Sequence, residues 1–215
     1  MIDETHCPLC AGIGISAYFS DKRRSYQRCE RCRLVFVPAR FHLDRGAERA
    51  EYDLHQNEPG GPGYRAFLSR LLRPLTQRLE PGARGLDFGC GPGPALAEML
   101  REGGFDMSLY DSFYLPDKRP LQDQYDFICA TEVVEHLRKP QREWAALFAM
   151  LKPGGWLGIM TKLVRDKQAF STWHYIRDKT HISFYSKSCM SYLAAHFNAE
   201  ITFQASDVIL FHTKG

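Results

Sequence analysis

Four of the seven cysteines lie in the first 32 residues, in two closely spaced pairs. Cys7 and Cys10 form one pair, Cys29 and Cys32 form the other, and residues 11–28 separate them. Two Cys-x-x-Cys motifs at this spacing suit one tetrahedral zinc ion, because a hairpin between the pairs brings four thiolates together. Four thiolates leave no coordination position on the zinc for water, so the predicted zinc is structural. The alternative is that a Cys-x-x-Cys motif forms a redox pair.

The segment around the second cysteine pair is strongly basic. Residues 22–40 contain one acidic residue, Glu30, and seven basic ones: Lys22, Arg23, Arg24, Arg28, Arg31, Arg33 and Arg40. Such a face either is solvated and helps to cover a larger domain, or binds RNA phosphates. A segment of about forty residues buries too little apolar area to fold alone, so we expect the metal to supply the missing stability.

A glycine cluster follows a short apolar strand and precedes a helical stretch. Glycine lets a ligand approach the backbone, and the helix that begins at Pro94 directs free N–H groups towards that ligand. Asp87 stands just before the turn, and Asp111 ends the next apolar strand, where a carboxylate binds ribose hydroxyls. These features predict a nucleoside ligand, although Pro94 replaces a glycine of the dinucleotide fingerprint. The glycines of the turn are Gly89, Gly91 and Gly93.

Four segments in the expected order resemble the class I S-adenosylmethionine-dependent methyltransferases. The resemblance covers roughly residues 80–215, and its segments are residues 86–93, 110–111, 125–137 and 151–160. The N-terminal cysteines together with residues 180–185 are similar to a subgroup of bacterial methyltransferases, many of which have no assigned substrate. The resemblance implies methyl transfer from S-adenosylmethionine, which joins the structural zinc as a predicted cofactor.

The resemblance also implies the fold and the cofactor contacts. From Gly85 on, strands alternate with helices, which indicates an α/β parallel sheet. The family fold is a Rossmann-like sheet, parallel with one antiparallel edge strand. Asp87 and the glycines are expected to contact the methionine part, and Asp111 the ribose. The cofactor-binding residues implied are Asp87, Phe88, Gly89, Cys90, Gly91, Gly93, Asp111, Ser112, Ala130 and Thr131.

One stretch departs from the family pattern. Residues 112–125, between the strand ends at Asp111 and Asp126, are too few and too rich in proline for a normal helix and strand. We therefore predict that the third helix–strand unit is missing or shortened. The acidic adenine contact from that unit cannot be carried over. Phe113 or Tyr114 either flanks the adenine or packs at the sheet edge.

Polar and aromatic residues after the fourth and fifth strands are the candidates for acceptor chemistry. Open α/β sheets bind ligands at their carboxyl edge, where we expect residues 170–185 to lie. The catalytic candidates are Glu132, His136 and His181, each of which could instead serve capping or packing, the role that we favour for Glu135. The substrate candidates are Trp173, His174, Tyr175 and Phe184, for which core packing is the alternative.

Three functions fit these features. The leading one is a methyltransferase acting on a small molecule, in which the zinc ribbon is structural or covers the substrate. The alternative is an RNA methyltransferase that uses the ribbon for docking. A non-catalytic cofactor-binding protein is the third. The sequence does not name the methylated atom, the substrate or the oligomeric state.

Composition excludes further classes. The chain has 215 residues, 44% hydrophobic content and a net charge of +3, too weak a charge to indicate nucleic-acid binding alone. No apolar run is long enough for a membrane span, and no signal peptide is visible, so we expect a cytoplasmic protein.

The expected organisation is a zinc ribbon at 1–45, a helical linker or lid at 46–80 and the methyltransferase domain at 81–215. Pro74 is expected to kink or split the helix around residues 67–79, and residues 54–63 to be irregular.

Overall fold

The structure, a computed structural model, describes residues 5–54 and 61–215. They form two compact units. The first unit consists of the described parts of Met1–His55, Val134–Trp144 and Lys162–Leu193, and the second of the described parts of Gln56–Val133, Ala145–Thr161 and Ala194–Gly215. Most of the irregular connection predicted at residues 54–63 lies outside the described residues.

The described residues contain ten strands and six α-helices. None of these helices is long and apolar enough to cross a membrane. The strands are β1 (Ile15–Ser20), β2 (Ser25–Cys29), β3 (Val35–Phe36), β4 (Arg84–Phe88), β5 (Asp106–Tyr110), β6 (Tyr125–Thr131), β7 (Leu151–Met160), β8 (Ser183–Phe184), β9 (Ala199–Phe203) and β10 (Val208–Thr213). The helices are α1 (Arg45–Asp53), α2 (Pro62–Thr76), α3 (Ala95–Glu102), α4 (Pro140–Ala149), α5 (Lys167–Ser171) and α6 (Lys187–His196).

The second unit is built on a six-stranded sheet in the order β5-β4-β6-β7-β10-β9. Strands β5, β4, β6 and β7 pair in parallel, whereas β10 runs antiparallel to both of its neighbours. The predicted Rossmann-like α/β fold is therefore confirmed, with the antiparallel strand one position inside the edge strand β9. Because the parallel strands end at one edge of the sheet, the loops after β4, β5 and β6 meet there.

Both faces of this sheet are covered, which is why its strands are rich in apolar residues. On one face α2 packs so closely that Leu71 lies 3.0 Å from where a Cβ of Gly158 would be. Leu210 of β10 pairs with Gly158, and successive residues of a strand point to opposite faces of the sheet. Phe211 therefore points to the other face. There Phe148 stacks on Phe197 with ring centroids 4.2 Å apart and meets Phe211 edge-on at 5.6 Å.

Pro74 does not split the helix in which it lies, which was one of the two effects predicted for it. Helix α2 runs without interruption from Pro62 to Thr76, and Pro74 occupies its last turn. A proline there removes a backbone hydrogen bond only where the helix is about to end, so the break coincides with the helix terminus. Leu79, which the apolar spacing placed on the helix, follows it.

The third helix–strand unit is absent, as predicted. Between β5 and β6 the chain forms a short turn, closed by a β-bridge between Asp111 and Leu115, and then a 3-10 helix at Arg119–Gln122. Strand β5 is consequently an edge strand. In the described part of the chain, the turn at residues 111–115 therefore stands where a further helix and strand would begin.

The first unit contains a separate antiparallel sheet in the order β1-β2-β3-β8. Its fourth strand, β8, comes from the middle of the predicted methyltransferase domain, and it pairs with β3 through Val35–Phe184 and Phe36–Ser183. A core of aromatic and branched side chains lies in the same unit. It comprises Tyr18, Tyr26, Val35, Val37, Val164, Phe170, Tyr175, Ile176, Ile182 and Phe184.

A buried chain of hydrogen bonds also stabilises the first unit. The Trp144 indole Nε1–H donates to the Tyr185 hydroxyl at 3.0 Å, and that hydroxyl donates to the Val134 carbonyl at 3.2 Å. Trp144, Tyr185 and Val134 are fully buried. The Tyr185 hydroxyl therefore satisfies one donor and one acceptor that water cannot reach.

We predict that Tyr185→Phe lowers the free energy of unfolding by about 1–3 kcal/mol, because the buried indole N–H loses its acceptor and the Val134 carbonyl keeps only the longer bond from the Leu137 N–H. Urea unfolding measures the change. Tyr192→Phe is the matched control, since Tyr192 is only partly buried, and its change should stay within about 0.5 kcal/mol. Equal stability of Tyr185→Phe and the wild type would show that this network contributes nothing.

Candidate functional site

The glycine turn after β4 has the backbone shape that its sequence predicted. Gly89 and Gly91 have φ values of 76° and 65°, in the left-handed region that favours glycine. A Cβ on Gly89 would lie 2.5 Å from a Val133 methyl, whereas one on Gly91 would meet nothing within 4 Å. The turn is therefore closed towards the sheet at Gly89 and open at Gly91. Helix α3 begins at Ala95 with Pro94 at its N-cap, one residue later than predicted.

The Asp111 carboxylate joins this turn to the end of β5. Its Oδ2 accepts a hydrogen bond from the Gly91 N–H at 3.0 Å, and its Oδ1 accepts from the N–H groups of Phe113 and Tyr114 at 2.8 and 3.0 Å. Asp111 is buried. Three backbone N–H groups thus fix the orientation of one carboxylate beside the open glycine.

Asp87 lies in β4 beneath the same turn and is buried. Burial, and to a lesser degree the nearby Asp111, raise the pKa of this carboxyl to about 7, against the opposing effect of a hydrogen bond from the Ala97 N–H. Ala97 belongs to the first turn of α3, whose N–H groups have no partners within the helix. Asp87 therefore ties β4 to the start of α3.

The other predicted cofactor residues lie around this turn or at the neighbouring strand ends. The Phe88 ring contacts Tyr110 at 5.3 Å between centroids, and Ser112 directly follows Asp111. Burial raises the pKa of the Cys90 thiol to about 12, so this thiol is neutral. Gly93 precedes α3, and Ala130 and Thr131 end β6.

Glu132, a catalytic candidate, stands immediately after β6 in the second unit. Its φ of 52° lies in the left-handed region, which is unusual for a residue with a side chain and is often found at functional sites. The Glu132 N–H donates to the Met160 carbonyl at 2.9 Å, which holds this conformation at the end of the parallel strands. Burial raises the pKa of Tyr64, and the nearby carboxylates of Asp87 and Glu132 raise it further.

The four N-terminal cysteines come together in the first unit. Their sulfur atoms all lie within 4.8 Å of one another, and none is in a disulfide. The Sγ atoms of Cys7 and Cys32 are 3.5 Å apart, as are those of Cys10 and Cys29. Thiolates bound to zinc at about 2.3 Å lie about 3.8 Å from one another in a tetrahedron. The cluster therefore fits a zinc ion with little adjustment.

The other two catalytic candidates, His136 and His181, also lie in the first unit, where their rings meet at 4.7 Å between centroids. Burial and the neighbouring His181 lower the pKa of His136 to about 3, so that this imidazole is neutral. A third residue joins them. Glu135, which the sequence favoured only for capping or packing, is fully buried and accepts a hydrogen bond from the Tyr175 hydroxyl.

The substrate candidates do not share one environment. Phe184 and Tyr175 are buried in the aromatic core of the first unit, and Trp173 is packed against that core. His174 is exposed, and its Nε2 lies 2.8 Å from the Lys162 Nζ. The aromatic side chains therefore hold segment 170–184 to β1, β2 and β3, which is the packing role that the sequence left open.

Comparisons with known proteins now identify the family. A family model described as a methyltransferase domain matches residues 63–203. The chain belongs to this family. It is a methyltransferase-domain protein. No curated protein matches the sequence.

Solved methyltransferases share its fold. The 1,6-didemethyltoxoflavin-N1-methyltransferase of Burkholderia thailandensis, solved with its substrate and S-adenosylhomocysteine, is 14% identical; the match covers 93% of this chain and all of that one, with a TM-score of 0.52. An O-methyltransferase family protein from the same organism is 16% identical over 82% of this chain and 63% of that one, with a TM-score of 0.49. An S-adenosylmethionine-dependent methyltransferase of Thermotoga maritima is 18% identical over 70% and 89%, with a TM-score of 0.44. At these identities the likeness concerns the fold alone.

The basic residues of this methyltransferase are largely engaged within the first unit. Arg24 is buried, and its guanidinium donates to the carbonyls of Ile176, Asp178 and Lys179 at 2.9, 2.7 and 3.1 Å. Arg23 donates to the carbonyls of Ile176 and Arg177. Arg28 and Arg33 pair with Glu30, Arg31 lies over Tyr192, and Arg40 lies over Phe41.

We predict that Asp87 makes the stability of the methyltransferase fall between pH 5 and pH 8. Its folded-state pKa of about 7 lies above the usual value of about 3.9, so its contribution is complete at low pH and is lost as the pH rises through about 7. Relative to Asp87→Asn, the free energy of unfolding of the wild type should fall by about 3 kcal/mol over this range, as measured by urea unfolding.

Asp117→Asn serves as the control, because Asp117 is exposed and pairs with Arg119. Its pH dependence should follow that of the wild type. The prediction fails if Asp87→Asn and the wild type show the same pH dependence.

Proposed function

We propose that this methyltransferase binds S-adenosylmethionine at the turn formed by residues 89–93 and transfers its methyl group to a small-molecule acceptor. The observation that carries the proposal is the meeting of Asp87, Gly91 and Asp111 around one open turn. The other contacts proposed are those of Phe88, Gly89, Cys90, Gly93, Ser112, Ala130 and Thr131.

The residues of the turn suit this cofactor. The open space at Gly91 admits a ligand against the backbone, and the positive end of the α3 dipole attracts the carboxylate of its methionine part. The ammonium and sulfonium groups are cationic and favour ionised Asp87. A ribose hydroxyl can donate to Asp111, whose carboxylate offers about four acceptor sites and uses three for backbone N–H groups.

When bound, the cofactor supplies an electrophilic methyl group on a good leaving group. The chain has to align the acceptor with this methyl group and to exclude water. A base is needed only for an acceptor that is protonated before transfer. We propose Glu132, His136 and His181 as the candidates for that proton. Of the four substrate candidates, we propose Trp173 and His174 for acceptor contacts, since Tyr175 and Phe184 are buried in the aromatic core.

The engagement of the basic residues favours a small acceptor over RNA. Nucleic-acid docking needs lysines and arginines that face phosphates, and Arg24 instead holds three carbonyls of one loop while Arg28 and Arg33 are paired with Glu30.

We propose further that Cys7, Cys10, Cys29 and Cys32 hold one structural zinc ion. Their sulfur spacing supports this, as does the absence of disulfides among the cysteines that the structure describes. Bound zinc would keep all four thiolates deprotonated and would leave no coordination position for water. The ion would stabilise the two turns at the open end of the β1–β2 hairpin.

We expect Asp111→Asn to weaken S-adenosylmethionine binding by about ten- to a hundredfold, because the substitution removes a charged acceptor facing the ribose. Calorimetric titration with the cofactor measures this. Asp117→Asn changes an exposed carboxylate in the same loop and should bind the cofactor as the wild type does. Unchanged affinity in Asp111→Asn would contradict the proposed ribose contact.

We expect close to one zinc ion per chain in protein purified without added metal. Elemental analysis measures the ratio, and Cys10→Ser should lower it while Cys90→Ser, outside the cluster, should not. Removal of zinc by a chelator should melt the N-terminal sheet, which circular dichroism follows. A zinc-free wild type with that sheet intact would refute the structural role.

Transfer of a labelled methyl group from S-adenosylmethionine into a cell extract tests the acceptor class. After fractionation, label should appear among small molecules and depend on Asp111. Label in RNA, with turnover that falls steeply as salt rises, would favour the alternative in which the N-terminal segment docks RNA. Cofactor binding without label in any fraction would indicate a non-catalytic protein.

A further inference from the structure

We infer that Glu135, His136 and His181 form a second metal site in the first unit, separate from the cysteine cluster and suited to a divalent first-row transition ion. One ligand atom from each residue can be chosen so that the three lie within 4.8 Å of one another. Glu135 and His181 are buried and His136 is partly buried. Two imidazoles and one carboxylate are a donor set that such ions favour.

The hydrogen bonds of the two histidines fix their tautomers, and His181 Nε2 lies 3.6 Å from Asp178 Oδ2. His136 Nδ1 lies 3.2 Å from the Thr180 carbonyl oxygen, and His181 Nδ1 lies 2.8 Å from the Tyr175 carbonyl oxygen. A carbonyl can only accept, so in each ring Nδ1 carries the proton and donates. The lone pair of the neutral ring is then on Nε2, where it can bind a metal ion.

The carboxylate is oriented by the same segment as the two rings. The Tyr175 hydroxyl donates to Glu135 Oε1, and the Ile182 N–H donates to the Glu135 carbonyl at 2.9 Å. Residues 175–182 therefore supply a partner for all three side chains. Metal-binding residues are commonly fixed in this way by hydrogen bonds from a surrounding layer, which sets both the tautomer and the angle of approach.

The donor set also limits which ion fits. Ligands about 2.1 Å from one ion lie about 3 to 3.5 Å apart, so side-chain rotations suffice to close the cluster. Mg²⁺ prefers oxygen ligands throughout, whereas Mn²⁺, Fe²⁺, Co²⁺ and Zn²⁺ accept imidazole. Three protein ligands leave at least one coordination position open to water or to an oxygen atom of another molecule.

Titration with Mn²⁺ tests the inference on protein loaded with only one zinc ion per chain, which the four soft thiolates bind in preference, because Mn²⁺ prefers nitrogen and oxygen donors to thiolates. Electron paramagnetic resonance of free Mn²⁺ should show one bound ion per chain in the wild type. His181→Gln and Glu135→Gln should each weaken binding at least tenfold. His174→Gln, an exposed histidine in the same region, should bind like the wild type.

A milder variant covers the case in which the ligand substitutions unfold the protein. Tyr175→Phe keeps the ring but removes the hydroxyl that orients Glu135, so it should weaken Mn²⁺ binding about tenfold. Bound Mn²⁺ should also raise the melting temperature of the wild type. The inference is overturned if the zinc-loaded wild type binds no Mn²⁺, or if binding is the same in all of these variants.

Discussion

One carboxylate organises the proposed cofactor site. Asp111 accepts hydrogen bonds from the Gly91 N–H of the glycine turn and from the N–H groups of Phe113 and Tyr114 in its own loop. The first bond ties the end of β5 to the turn after β4. The other two close the loop that replaces the missing third helix–strand unit. The shortened fold and the open turn thus have a common physical basis.

The proposed cofactor site and the sheet that carries it could be predicted well from the sequence, because both depend on short local patterns. Glycines at 89 and 91 adopt the left-handed conformations that few other residues allow, and the proline-rich stretch at 112–125 is too short for a helix and a strand. Alternating apolar runs predicted the parallel sheet. The cysteine spacing likewise predicted a cluster that the folded chain does form.

The first unit was harder to predict because its interactions join distant parts of the chain. Strand β8 pairs with β3, although about 150 residues separate them. Arg24 was part of a basic run with two open interpretations, and only the folded chain reveals that the carbonyls of residues 176–179 surround it. Glu135 was assigned to packing because no local pattern brings it to His181.

The central claim is that the cofactor lies against the glycine turn and Asp111. Amide nuclear magnetic resonance of the protein during titration with S-adenosylhomocysteine tests it most directly, since the Gly91 N–H is bonded to the carboxylate that the ribose should reach. The account predicts that the amide signals of Gly91, Phe113 and Tyr114 shift together and saturate at one equivalent. Saturable binding that leaves these three signals unchanged would contradict it.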